Sequence, residues 1–338
     1  MDLQWRALTR ADAAGMAELN AAVHAAYPAG ELRAVDEMEA SFDDEWRVAA
    51  PARFGAFADG RLVGFGVLFA RVAANPDHRM LLWGMVHPAF GRRGIGTEIV
   101  RRGLRAAPDL HARSFPEAEG LVVLELPDVP GSAELALACG FEPGERSFDM
   151  ARALPRDPAE FDAWIAAPGG DLVISRFDPK YVEELRQVHN DSFVPYHPGS
   201  APVPAEAWER RFSHPAFRPD LSFLMLDAGT GEISGYIFSA RVTERTGHTG
   251  PREVRLATIT THHGYRKRGI ATALIGAVLS EAVVQGFESA SLDVDTGNPS
   301  GALRVYQRAG FTVTHSATTY ARKIDRPLAA SPSPLPRM

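Results

Sequence analysis

Two short runs of this sequence carry the residue types needed to hold an anion. Arg266-Lys267-Arg268-Gly269-Ile270-Ala271-Thr272 sets three cations ahead of a glycine, and apolar residues then follow at helical spacing, Ile270, Ala273, Leu274, Ala277 and Val278. A helix N-terminus offers unpaired backbone N–H groups and a partial positive charge. Gly269 and Ala271 keep the backbone there bare, so the turn suits a pyrophosphate. Gly91-Arg92-Arg93-Gly94-Ile95-Gly96 repeats the arrangement about 175 residues earlier, with Ile95, Ile99 and Leu104 marking its helix face. A basic turn that merely caps a helix looks the same in one copy; recurrence in matching contexts favours a ligand. Neither copy has the Gly-x-x-x-x-Gly-Lys-Ser/Thr of a P-loop, and Gly94-x-Gly96 is followed by Ile99 where a dinucleotide fingerprint needs glycine or alanine.

The elements that must position these turns also recur. Apolar strand-like runs precede both turns, Met80 to Val86 and Val254 to Thr260. Leu121 to Leu126 leads to Cys139-Gly140-Phe141, and Ser289 to Val294 leads to Ala309-Gly310-Phe311, so strand, short helix and Gly-Phe restart repeat in order. Each half opens with a strand, a helix and a hairpin. The first reads Gln4 to Leu8, Ala11 to Tyr27, then Arg53 to Ala58 and Leu62 to Ala70, turning at Asp59-Gly60. The second reads Leu172 to Phe177, Tyr181 to Phe193, then Ser222 to Asp227 and Ile233 to Val242, turning at Gly229-Thr230-Gly231. Pro155, Pro158 and Pro168 mark a connector, in which Phe161, Trp164 and Ile165 predict a short docked helix.

Composition narrows the function classes. With 338 residues, 45% hydrophobic and 23% charged, the chain has enough apolar content for two cores. A net charge of −6 argues against nucleic-acid binding, which needs excess cations for phosphates. The single cysteine, Cys139, excludes an intrachain disulfide and fits a reducing cytoplasm. No run approaches the roughly 18 apolar residues of a membrane helix, and Met1 to Arg10 lacks the basic start and apolar stretch of a signal peptide. Arg326 to Met338, rich in Pro, Ser and Ala, reads as a disordered tail.

Arg266-x-x-Gly269-x-Ala271 resembles the coenzyme A signature of the GCN5-related N-acetyltransferase (GNAT) superfamily, and Asn298-Pro299, Ala302, Tyr306 and Gly310-Phe311 resemble its second motif. The likeness covers nearly the whole chain as two copies, in the layout of the superfamily's two-domain members. It implies an α/β (α+β) fold of two tandem domains, each a mixed, mostly antiparallel sheet flanked by helices. Residues 1–152 would form a catalytically degenerate domain, 153–170 a connector, 171–325 a catalytic domain and 326–338 the tail. The implied chemistry is direct transfer from acetyl-coenzyme A, the co-substrate, to a small-molecule amine, without metal, nucleic acid or membrane, in a monomer or homodimer. A sensor or scaffold that binds acyl-coenzyme A without turnover is the alternative.

The same resemblance assigns residues. Arg266, Lys267, Arg268, Gly269, Ile270, Ala271 and Thr272 would hold the pyrophosphate, backbone N–H groups at Ile259, Thr260 and Thr261 the thioester carbonyl, and Asn298 the pantetheine arm or a splayed strand. Val86, Arg92, Arg93, Gly94 and Gly96 are the first-half counterparts. Tyr306 would protonate the leaving thiolate; its other reading is a core aromatic with a polar handle. Glu253 is the candidate base, although Arg255 stands at the position matched with the superfamily's glutamate. Glu253 and Arg255 share a strand face, so mutual pairing competes with catalysis. His262, His263 and the Tyr196-His197 loop are rival bases, and the adjacent histidines are expected on opposite faces, against a shared metal. In the first half Gly91 replaces the usual Gln or Arg, and the Gly-Phe match puts Ala136 opposite Tyr306.

Overall fold

A computed structural model describes residues 2–27, 32–43, 48–166, 168, 170–196, 200–214, 216–241, 252–297 and 301–324. The chain gathers into two compact units, residues 1–144 with 319–338, and residues 145–318. Boundaries expected at 152/153 and 170/171 follow the repeat; compactness divides the chain elsewhere. Asn298, His197 and the tail 326–338 lie outside the described residues.

In the first unit, β1 (Gln4–Ala7), α1 (Ala13–Ala26) and α2 (Val35–Ala40) precede the β2 (Val48–Ala58) and β3 (Arg61–Ala74) hairpin. Asp59 and Gly60 turn it with φ of 49° and 79°, the left-handed pair that a tight hairpin needs. There follow β4 (His78–Val86), α3 (Ile95–Ser114), β5 (Gly120–Pro127) and α4 (Ser132–Ala138). β1 with β2, β2 with β3 and β3 with β4 pair antiparallel, and β4 with β5 parallel. One face buries Met80, Leu82, Ile95, Ile99 and Leu124 with α3 and α4; the other buries Phe65 and Val67 with Met16, Leu19 and Met38 of α1 and α2.

After β6 (Glu142–Ala153), most of which belongs to the second unit, come α5 (Asp162–Ile165), β7 (Leu172–Arg176), α6 (Val182–Ser192), α7 (Ala205–Phe212), β8 (Phe223–Asp227) and β9 (Ile233–Arg241). β10 (Glu253–Thr261), α8 (Ile270–Val284), β11 (Ser289–Asp295), α9 (Ala302–Arg308) and β12 (Thr312–Lys323) complete it, with residues 319–323 of β12 counted in the first unit. β7 to β10 are antiparallel neighbours, β10 and β11 parallel, and β11 and β6 antiparallel. The helix predicted in the connector is α5. Gly276 of α8 lets it dock, because a Cβ there would sit 3.0 Å from that of Trp164. The short helices α2 and α7 were not predicted. In α7, Trp208 is buried and Glu206 pairs with Arg210 one turn on.

Each Gly-Phe corner closes identically. Phe141 N–H donates to Ala136 O at 3.1 Å and Phe311 N–H to Tyr306 O at 3.0 Å. Arg322 Nη1 donates to Cys139 O in the first unit, and Arg152 Nη1 to Ala309 O in the second. Each corner is therefore held by an arginine from the other repeat's closing strand.

Candidate active site

The two basic turns share one geometry. Arg92 and Gly94 have φ of 60° and 78°, and Lys267 and Gly269 have φ of 65° and 81°. A non-glycine residue in this region is costly. Left-handed residues on either side of Arg93 and of Arg268 curl successive N–H groups into an anion-binding concavity. Gly94 and Gly269 are also helix N-caps with no side-chain cap, which leaves the first-turn N–H groups of α3 and α8 available. A Cβ on Gly94 would meet nothing within 4 Å, so the cradle is open. Arg268 lies over Tyr265 at 5.5 Å as Arg93 lies over Phe90 at 5.3 Å. Ile270 is buried and offers only its N–H, while Ala271 and Thr272 remain half-exposed. Gly96 sits 3.5 Å, at a notional Cβ, from Leu135 of α4, with Val86 at 3.9 Å.

A gap opens beside each turn. β10 and β11 pair only at Glu253 with Ser289, Val254 with Ala290 and Arg255 with Ser291; β4 and β5 pair only from His78 with Gly120 to Leu81 with Val123. In β10 the register against β9 slips between Leu256 and Thr258, so Ala257 is an extra residue and a bulge. β4 runs unslipped against β3 from Met80 to Val86. The bulge shifts the alternation, bringing Ile259 to the α8 side together with Val254 and Leu256. His262 N–H bonds Ser234 O of β9 at 2.9 Å. Alternation then sends the Thr260 N–H the same way, and those of Ile259 and Thr261 into the gap. His87 N–H on Val63 O does the same for Val86 in the first unit.

Tyr306 stands in the α8 and α9 core, 8% exposed. Burial, reinforced by the Asp293 carboxylate, pushes its phenol well above the usual range, so it is a neutral donor at physiological pH. No hydrogen bond to its hydroxyl occurs among the described residues. Its counterpart Ala136 is fully buried and offers nothing to donate.

On the opposite sheet face, Glu253 and Arg255 do not pair as the competing sequence reading had it. Ser291 Oγ donates to Glu253 Oε1 at 2.5 Å, and Arg255 Nη2 donates to Asp293 Oδ1 at 2.6 Å. Ser291 and Asp293 escaped the sequence reading, though the alternation Ser289-Ala-Ser291-Leu-Asp293-Val-Asp295 signals their common face.

The histidines lie beyond the end of β10, where strand alternation no longer holds. Their rings pack at 4.3 Å between centroids rather than on opposite faces. His262 Nδ1 accepts from Gly264 N–H at 3.3 Å. In the neutral ring Nε2 then carries the proton, so His262 has no lone pair to serve as a base. Burial, with His263 beside it, lowers its pKa and keeps it in that form. Ser192, at the end of α6, accepts from His263 N–H through Oγ and from Arg266 Nη2 through its carbonyl, both at 3.3 Å. The Thr260 side chain turns toward Tyr236, its cross-strand neighbour, whose hydroxyl lies 2.6 Å from His189 Nδ1.

A family model described as the acetyltransferase (GNAT) family matches residues 16–121 and 182–311. Mycothiol acetyltransferase of Mycobacteroides abscessus is 29% identical over 250 residues, 74% of this chain and 77% of its own. That of Geodermatophilus obscurus is 27% identical over 311 residues, 91% of this chain and 94% of its own. The two-copy layout of this sequence, similar to that of mycothiol synthase, agrees with these relatives. Among solved structures, a GCN5-related N-acetyltransferase from Sphaerobacter thermophilus superposes with a TM-score of 0.71 at 23% identity, over 95% of this chain and 96% of that one. A tandem GNAT protein from the clavulanic acid biosynthesis pathway gives 0.68 at 15% identity, over 96% and 99%. At those identities the likeness is one of fold.

Proposed function

We propose that this chain, which belongs to the acetyltransferase (GNAT) family, is an N-acetyltransferase whose second half carries an acetyl group from acetyl-coenzyme A to the amine of a small molecule. The amine attacks the thioester directly while both substrates are bound together. The observation that carries this reading is the parting of β10 from β11 after Arg255, beside the left-handed turn at Lys267 and Gly269. The relatives named mycothiol acetyltransferase support a small acceptor.

In this reading the turn from Arg266 to Thr272 holds the pyrophosphate by N–H groups and charge, and the N–H groups of Ile259 and Thr261 polarise the thioester carbonyl. Tyr306 gives its phenolic proton to the departing thiolate. Glu253 receives the amine proton through the hydroxyl of Ser291, which stands on the last paired rung before the gap. The first half keeps a cradle at Arg92, Arg93, Gly94 and Gly96 but has no donor at Ala136, so it binds or shapes without turnover.

The test is release of free thiol from acetyl-coenzyme A across a library of small amines. Amine-dependent release that falls in Glu253→Gln and in Ser291→Ala is the expected result. Acetyl-coenzyme A binding with no amine-dependent release from any member would leave a sensor and end this reading.

A further inference from the structure

The ion pair at the mouth of the gap is unusual for its position. Arg255 is on the last rung of β10 that still pairs with β11, and Asp293 is the second residue of β11 beyond that rung. Val254 and Leu256 face the α8 core, so Arg255 faces the other way, on the side of Ala240 and Phe238. Both members remain reachable from solvent, at 27% and 59% side-chain exposure. Asp149 of β6 is the direct cross-strand partner of Asp293 and shares its face. Glu253 lies two residues before Arg255 on the same face. The Arg255–Asp293 pair thus shares one face with Asp149 and Glu253 where the sheet opens.

We propose that Arg255 and Asp293 form the acceptor subsite and select an amine that carries an acidic group of its own, an amino-acid-like zwitterion. The argument is charge balance. An ammonium alone can take Asp293 only by stripping Arg255, the less exposed member, of its partner. A carboxylate alone can take Arg255 only by displacing Asp293 and meets the complementary penalty. A ligand bearing both charges replaces each half of the pair at once: its ammonium turns to the carboxylates at the edge of the gap, and its carboxylate forks onto the guanidinium. That orientation leaves the nitrogen, once deprotonated, beside Ser291. The inference rests on the transferase reading for its site but not for its test.

The probes are α-amino acids and dipeptides, each paired with the matching amine that lacks the carboxylate. Thiol release at saturating acetyl-coenzyme A gives kcat/KM for each pair, and calorimetry on the coenzyme A complex gives binding. The expected result is at least a tenfold preference for the carboxylate-bearing member in the wild-type protein. Arg255→Gln abolishes that preference, Arg255→Lys restores part of it, and acetyl-coenzyme A affinity changes by less than twofold. Asp293→Asn raises KM for both members of a pair. A preference that is absent, or that survives Arg255→Gln, overturns the subsite. Should no amine turn over, binding decides. Zwitterion binding lost in Arg255→Gln keeps the subsite and rejects only the transferase reading, whereas equal or absent binding of paired probes rejects the subsite.

Discussion

Ala136 and Tyr306 hold the same place in the two repeats: the carbonyl of each accepts the N–H of the phenylalanine five residues on, at 3.1 and 3.0 Å. The backbone is reproduced and the phenol is not. Tyr306→Phe should therefore lower turnover by about 10²-fold or less, since water partly replaces a lost general acid. Acetyl-coenzyme A affinity should hold, because the ring still packs. Ala136→Tyr should create no second activity, since it enters a fully buried position and the strand beside it has no base between Met80 and Val86. Unchanged turnover in Tyr306→Phe, with chemistry shown to be rate-limiting, would remove Tyr306 from the mechanism.

The pyrophosphate site proposed at Arg266 to Thr272 is tested by charge. Gly269→Glu puts bulk and a carboxylate at φ 81°, where side chains are strained and the anion is to sit. Acetyl-coenzyme A binding by calorimetry should fall at least tenfold. Gly94→Glu should give a smaller response, because Gly91 supplies no cation where Arg266 does. A Gly269→Glu protein that is folded and binds normally would place the cofactor elsewhere.

Arg152 ties α9 down through Ala309 O while lying over Phe161 at 5.2 Å. Arg152→Ala should cost about 1–3 kcal/mol, read from urea unfolding, by leaving a carbonyl unpaired at a half-buried corner. Turnover should drop with it, because α9 carries Tyr306. Loss of stability without loss of kcat would confine Arg152 to the fold.

His78 and His111 are buried with their Nδ1 atoms 2.7 Å apart, and His78 Nε2 faces Arg71 O at 3.2 Å. One Nδ1 must donate to the other. Burial, and then the neighbouring His111, lowers the pKa of His78 below its ordinary value. The unfolded chain thus binds a proton first as pH falls, so stability is full above about pH 6.5 and declines with acid toward the folded value. Thermal midpoints between pH 7.5 and 5 should fall, and His78→Leu should flatten that dependence even while lowering the midpoint at neutral pH. An unaltered slope would assign the acid sensitivity to other groups.

Much of the site was legible because its chemistry is local. The two basic turns, the Gly-Phe corners and the Asp59-Gly60 hairpin each depend on residues within a few positions, and their side chains announce the backbone they need. Ala257 was not legible. A bulge depends on register against β9, and the sequence Leu256-Ala257-Thr258 has no mark of the slipped rung. Nor did Glu253 reveal its partner: the choice between Arg255 and Ser291 is set by how β11 lies alongside, which is a property of pairing. The buried histidine pair joins positions 33 residues apart and had no local signal.

β6 belongs by sequence to the first repeat, yet it pairs along the whole of β11, from Ser289 with Ala153 to Asp295 with Ser147. A deletion that discarded the first repeat would also remove the strand flanking Asp293 and the arginine that holds α9. The second repeat's strand order and its α9 corner thus depend on residues that the sequence repeat assigns to the first.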